Sequence, residues 1–147
     1  MPDFLNRRKL ARLLDRNAER LGDLHPPENG WISTMRQALG MSAEQVAKRK
    51  GVSRNAVYQA ERSEKDGAVS LKQMERLAAA MGGRFVYAIV PDEPIEILKH
   101  KQAIRNATKL AASEPDFAAK SPDDQQDWID DIAAEQLHDM RPDFWEN

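Results

Sequence analysis

The stretch SAEQVAKRKGVSRNAVYQAER, residues 42–62, constrains this chain more than any other. Two short helical patterns meet there across Gly51-Val52, and Gly51 can take the positive φ that a tight crossing demands. Ala47 leaves room for the second helix to lie close, while Val46, Val52, Val57 and Ala60 are spaced to fill a shared core. Turning from Arg54 at about 100° per residue, Tyr58, Arg62, Asn55 and Gln59 fall within one arc, and Ala56, Val57 and Ala60 fall opposite it. The second helix thus has an apolar face for docking and a face made only of hydrogen-bonding side chains.

That pairing of faces suits a helix that enters a DNA major groove while held on its own domain, the arrangement of a helix-turn-helix. Arginine can bond bidentately to guanine, and asparagine or glutamine to adenine, so Arg54, Asn55 and Gln59 are the candidate base readers. Tyr58 can reach a phosphate or a thymine methyl. Gln45 opens the preceding helix, where side chains and free N–H groups hold the DNA backbone.

The flanking sequence predicts more helix. Ser42, Ser53 and Ser70 each stand where a hydroxyl N-caps the following segment, giving helices over Ala43–Lys50, Arg54–Arg62 and Leu71–Met81, with a further one over Trp31–Leu39. Upstream, residues 4–21 form an amphipathic arm with Leu10, Leu13, Leu14 and Leu21 on one stripe, ended by Gly22 and the HPPENG connector. Downstream of Gly82-Gly83, the run RFVYAIV over residues 84–90 predicts a strand in which Phe85, Tyr87 and Ile89 alternate with Val86, Ala88 and Val90. A helix over Pro94–Ala112 follows, with Ile97, His100, Ile104, Ala107 and Ala111 on its stripe. The last helix starts at Ser121-Pro122 and carries Trp128, Ile129, Ile132, Ala133 and Met140 on its apolar side. The expected architecture is mainly α: a helix-turn-helix bundle with one β-strand and flanking N- and C-terminal helices. Its expected divisions are an arm and linker (1–27), a DNA-binding domain (28–83) and a dimerisation or partner-binding extension (84–147).

A lone strand cannot satisfy its own ladder, and the chain offers no second run rich in Val, Ile and aromatics. The simplest mate is residues 84–90 of a second copy, so a two-fold homodimer with antiparallel pairing is expected, reading a palindromic operator with half-sites roughly 34 Å apart.

Charge separates the ends. Residues 1–66 hold 13 basic and 9 acidic side chains, whereas residues 114–147 hold 2 basic and 11 acidic. The basic front suits DNA, and the acidic tail suits a protein partner. No apolar run reaches the roughly 18 residues of a membrane span, and the first residues lack a signal peptide's apolar stretch, so a cytoplasmic protein without membrane contact is expected. The 147 residues include no cysteine, which removes disulfides and thiolate metal sites. His25, His100 and His138 lie far apart, and the aspartates of 123–131 come without an EF-hand glycine pattern. No catalytic residue, metal site or cofactor is expected, and the chain does not read as an enzyme.

With Gln45, Ala47, Gly51, Ser53, Val57 and Glu61 in register and SLKQMERLAAAMG behind them, residues 31–82 resemble a phage-repressor-like helix-turn-helix domain of the xenobiotic-response-element family. The resemblance implies base contacts from Arg54, Asn55 and Gln59 and phosphate contacts from Gln45, Ser53 and Arg62. Lys50 departs from it, since the family usually has an apolar residue there. Over nearly the whole chain, GWISTMRQALGMS, the run ending VYAIVP, the two trailing helices and the Trp near the C-terminus are similar to mobile mystery protein A. That likeness implies an antitoxin-like transcriptional repressor, paired with a Fic-domain protein on a mobile element, that autoregulates the pair. The alternatives are a stand-alone regulator of a mobile element, or a protein-binding antitoxin whose DNA binding is secondary.

Overall fold

The computed structural model describes residues 3–146. These residues hold seven α-helices: α1 (Phe4–Leu21), α2 (Trp31–Ala38), α3 (Ala43–Lys50), α4 (Arg54–Lys65), α5 (Leu71–Ala80), α6 (Ile95–Ala111) and α7 (Pro122–His138), with a 3-10 turn at Phe117–Ala119. They form two compact units. One is Asp23–Ala88, and the other joins the chain up to Gly22 with the chain from Ile89 onward.

In the unit Asp23–Ala88 each helix start is written locally. Ser42 accepts the N–H of Gln45 while Gln45 Oε1 accepts the N–H of Ser42, a reciprocal capping box at 3.1 and 2.8 Å. Ser53 and Ser70 cap α4 and α5 through the N–H groups of Ala56 and Gln73. Helix α3 stops at Gly51, whose φ of 79° lets its N–H and that of Val52 both reach the Ala47 carbonyl. The core is built from Ile32, Val46, Val57, Met74, Leu77 and Met81, with Ala43, Ala47 and Ala60 at the crossings. Val52, expected in this core, is instead 38% exposed, because the turn that uses its N–H carries its side chain outward.

In the other unit, α6 and α7 pack along each other through Ala103, Ala107 and Ala133, all fully buried. Their small side chains permit close approach. Two amides on α6 sit in the same seam: Asn106 Nδ2 donates to the Phe144 carbonyl at 2.9 Å, and Gln102 Nε2 donates to it at 3.4 Å. Phe144 is thereby held buried at the end of the chain. Ile97, placed on the inward stripe by its spacing, is 44% exposed, since the buried face of α6 is the one carrying Gln102, Ala103, Asn106 and Ala107. Helix α1 packs on α6, with Asp15 Oδ1 accepting the Ile95 N–H that opens α6. Its leucine stripe is only half used, for Leu14 is partly buried while Leu10 and Leu13 stay exposed. Trp128 meets the Phe117 ring edge-on.

Residues 84–90 form no strand in the single chain. Their β-rich composition supplies propensity, but a strand needs a ladder, and among the described residues none of their backbone groups bonds to another segment. Phe85 packs against the helix-turn-helix core and stacks on Tyr87, with ring centroids 5.8 Å apart. Val86, Tyr87 and Ile89 remain exposed.

Candidate nucleic-acid interface

Helix α4 divides as its periodicity predicts. Val57 and Ala60 are buried against the core, and Arg54, Asn55, Tyr58, Gln59 and Arg62 are all exposed on the outer arc. Among the described residues, Arg54, Asn55, Gln59 and Arg62 have no side-chain hydrogen bond or ion pair within the chain, so their donors and acceptors face solvent ready for another partner. The remaining candidates sit at helix starts beside this arc. Gln45 spends Oε1 on the capping box, which leaves its amide NH2 as a donor. Ser53 Oγ accepts from Ala56, so its own O–H is still available to donate.

What holds α4 at its angle was not among the expected site residues. Arg36 on α2 donates to Glu61 on the inner edge of α4 through Nε (2.6 Å) and Nη2 (3.3 Å), with both side chains nearly buried at 13% and 12% exposure. A third donor, Nη1, reaches the Met41 carbonyl at 3.2 Å, and the guanidinium lies 5.9 Å from the Tyr58 ring centroid. The hydrogen bond to Glu61 raises the Arg36 pKa despite the opposing effect of burial. One turn further along α4, Glu64 accepts the N–H groups of Trp31 and Ile32 at 2.6 and 2.9 Å, capping α2 across 33 residues of sequence. Two carboxylates on one helix thus fix it to another, and the polar arc inherits that rigidity. Glu61 stood in the sequence pattern, but its partner 25 positions upstream carried no local signal.

Lys50 reaches from the end of α3 to α5, where Nζ donates to Gln73 Oε1 at 2.6 Å. Burial, with Arg76 nearby, lowers its pKa. A lysine takes this position with its head bonded to a neighbouring helix.

The helix-turn-helix family model matches residues 32–87. Residues 32–87 are a phage-repressor-like helix-turn-helix domain. The chain therefore carries the DNA-binding domain of a sequence-specific regulator. No curated protein and no solved structure matches the chain. Among the described residues no helix is long and apolar enough to cross a membrane.

Proposed function

We propose that the protein is a transcriptional repressor that reads a palindromic operator as a homodimer. Arg54, Asn55 and Gln59 contact base edges, Tyr58 a thymine methyl or phosphate, and Gln45, Ser53 and Arg62 hold phosphates. The observation that carries this reading is the outer arc of α4, where Arg54, Asn55, Gln59 and Arg62 form no side-chain hydrogen bond or ion pair with a described residue while the opposite face is buried. Base readers and phosphate holders fail differently. Arg54→Ala is expected to weaken operator binding by about 1–3 kcal/mol and to relax preference at one base position. Gln45→Ala should weaken binding evenly across sequences. Binding titrations against an operator library check both, and unchanged affinity in the two variants would remove Arg54 of α4 and Gln45 of α3 from the interface.

The homodimer forms through residues 84–90, whose exposed backbone and apolar side chains call for a ladder partner. The arm and the extension after residue 83 serve assembly and partner binding, and residues 28–83 serve DNA.

A second reading, an antitoxin-like autoregulator that also binds a Fic-domain protein, is favoured by α7. Asp123, Asp124, Asp127, Asp130 and Asp131 are all exposed, and none forms an ion pair with a described residue. Such a surface repels DNA and attracts a basic protein. Removing residues 114–147 is not a clean test, because it strips α7 from the buried alanines of α6. Asp127→Lys with Asp131→Lys should instead reduce co-purification with a co-expressed Fic-domain partner while leaving operator affinity within about twofold. Retained co-purification would move the partner site off α7.

A further inference from the structure

The helix-turn-helix unit has an unfilled apolar cavity of about 410 Å³, walled chiefly by Leu24, Trp31, Met35, Met74, Met81 and Phe85. Residues 84–86 also line the cavity. Ile89 lies three residues further on and is 85% exposed, more than any other large apolar side chain among the described residues. One chain thus shows an apolar hole and, close to it in sequence, an apolar side chain with nothing to cover it.

A ladder between two copies connects the two. The run between Gly83 and Pro91 pairs over its full length only when the two-fold axis passes at Tyr87, its middle residue. In that register Val86 stands opposite Ala88 of the partner subunit, and Phe85 stands opposite Ile89 of the partner subunit. Phe85, Tyr87 and Ile89 share one face of the ribbon. Phe85 packs on the core and lines the cavity, and Tyr87 stacks on Phe85; Arg84 and Val86, from the other face, line the cavity too, so Phe85 is the residue that ties this register to it. Directly opposed side chains have Cβ atoms about 4.5–5.5 Å apart, which delivers Ile89 of the partner subunit to the Phe85 wall. Charge agrees with the register. Arg84 also lines the cavity, and neither it nor the exposed Asp92 is ion-paired to a described residue; pairing sets Arg84 diagonal to Asp92 of the partner subunit.

We infer that Ile89 of the partner subunit fills this cavity, so that each chain completes the other's DNA-binding core. The inference rests on the homodimer proposed above and adds its register and its anchor.

The chain has no cysteine, so single-cysteine variants report distances without background. Tyr87→Cys should cross-link to itself under mild oxidation. A mixture of Val86→Cys and Ala88→Cys chains should form the mixed disulfide while each alone does not, since opposed Cα atoms in a ladder lie within disulfide reach. Ile89→Asp, which presents two charges to the two symmetric cavities, should weaken dimerisation by about 100-fold in sedimentation, and Ile89→Leu should preserve it. Ala78→Phe, which fills the same cavity from within its own chain, should weaken it as well. Wild-type dimers that tolerate Ile89→Asp and fail to cross-link at Tyr87→Cys would overturn this register and anchor while leaving the dimer in place. A wild-type chain that stays monomeric by light scattering would overturn the dimer itself. A monomer whose Trp31 emission responds saturably to a medium-chain carboxylate would give the cavity to a small ligand instead.

Discussion

Glu61→Ala is expected to destabilise the helix-turn-helix unit by about 3 kcal/mol or more, although Glu61 is not one of the candidate DNA-contacting residues. The reason lies in what it leaves behind. Arg36 is 13% exposed, and its bond to Glu61 is the main cause of its raised pKa. Without that carboxylate the guanidinium keeps only the Met41 carbonyl and the face of Tyr58. Arginine cannot shed its proton near neutral pH to escape, so the full desolvation penalty falls on the folded state. Replacing both partners by Arg36→Met and Glu61→Leu removes the charge as well as its mate, and this double variant should recover most of the loss. Hydrogen exchange of the α2–α5 amides measures the effect in this unit alone, which matters in a chain with two compact units. Operator affinity should fall in Glu61→Ala beyond the loss of folded protein, because Arg36 and Glu61 set the angle of α4. A change below about 1 kcal/mol would mean that the pair does not hold α4.

The parts of the fold that were legible are those encoded within one turn of helix. Ser42, Ser53 and Ser70 cap the helices they precede, Gly51 takes the positive φ its turn requires, and the period of α4 separates Val57 and Ala60 from Arg54, Asn55 and Gln59. The candidate DNA-contacting residues could therefore be named from spacing. The clamp behind them could not, since Arg36 meets Glu61 and Glu64 meets Trp31 only once the chain has folded. The same limit explains two misplacements. On α6, hydrophobic spacing put Ile97 inward, but the tail brings the Phe144 carbonyl to Asn106 and Gln102, and a satisfied amide can be buried where spacing alone expects isoleucine. In RFVYAIV the composition recorded a tendency to pair and carried no information about where the mate would be.

Gly30→Ala, at a buried position, should destabilise the helix-turn-helix unit by about 3 kcal/mol. Gly30 precedes α2 with φ 82° and ψ 165°, a region that only glycine occupies without strain, and an L-residue there carries about 1–3 kcal/mol. Space adds a second penalty. A Cβ at this position would stand 2.9 Å from Glu64 Cδ and Oε2, the carboxylate that accepts the first two N–H groups of α2. Glu64 must then swing away, and the start of α2 loses both charge-assisted bonds. The two penalties separate in a double-mutant cycle. Glu64→Ala alone removes the cap and should destabilise by about 2 kcal/mol. In that background Gly30→Ala meets no carboxylate, so only the backbone strain remains and the pair should be less damaging than the sum by about 1 kcal/mol. Chemical denaturation followed by exchange of the α2 amides gives both numbers. Strict additivity would show that Glu64 does not cap α2 in solution, and α4 would then be fixed by Arg36 and Glu61 alone.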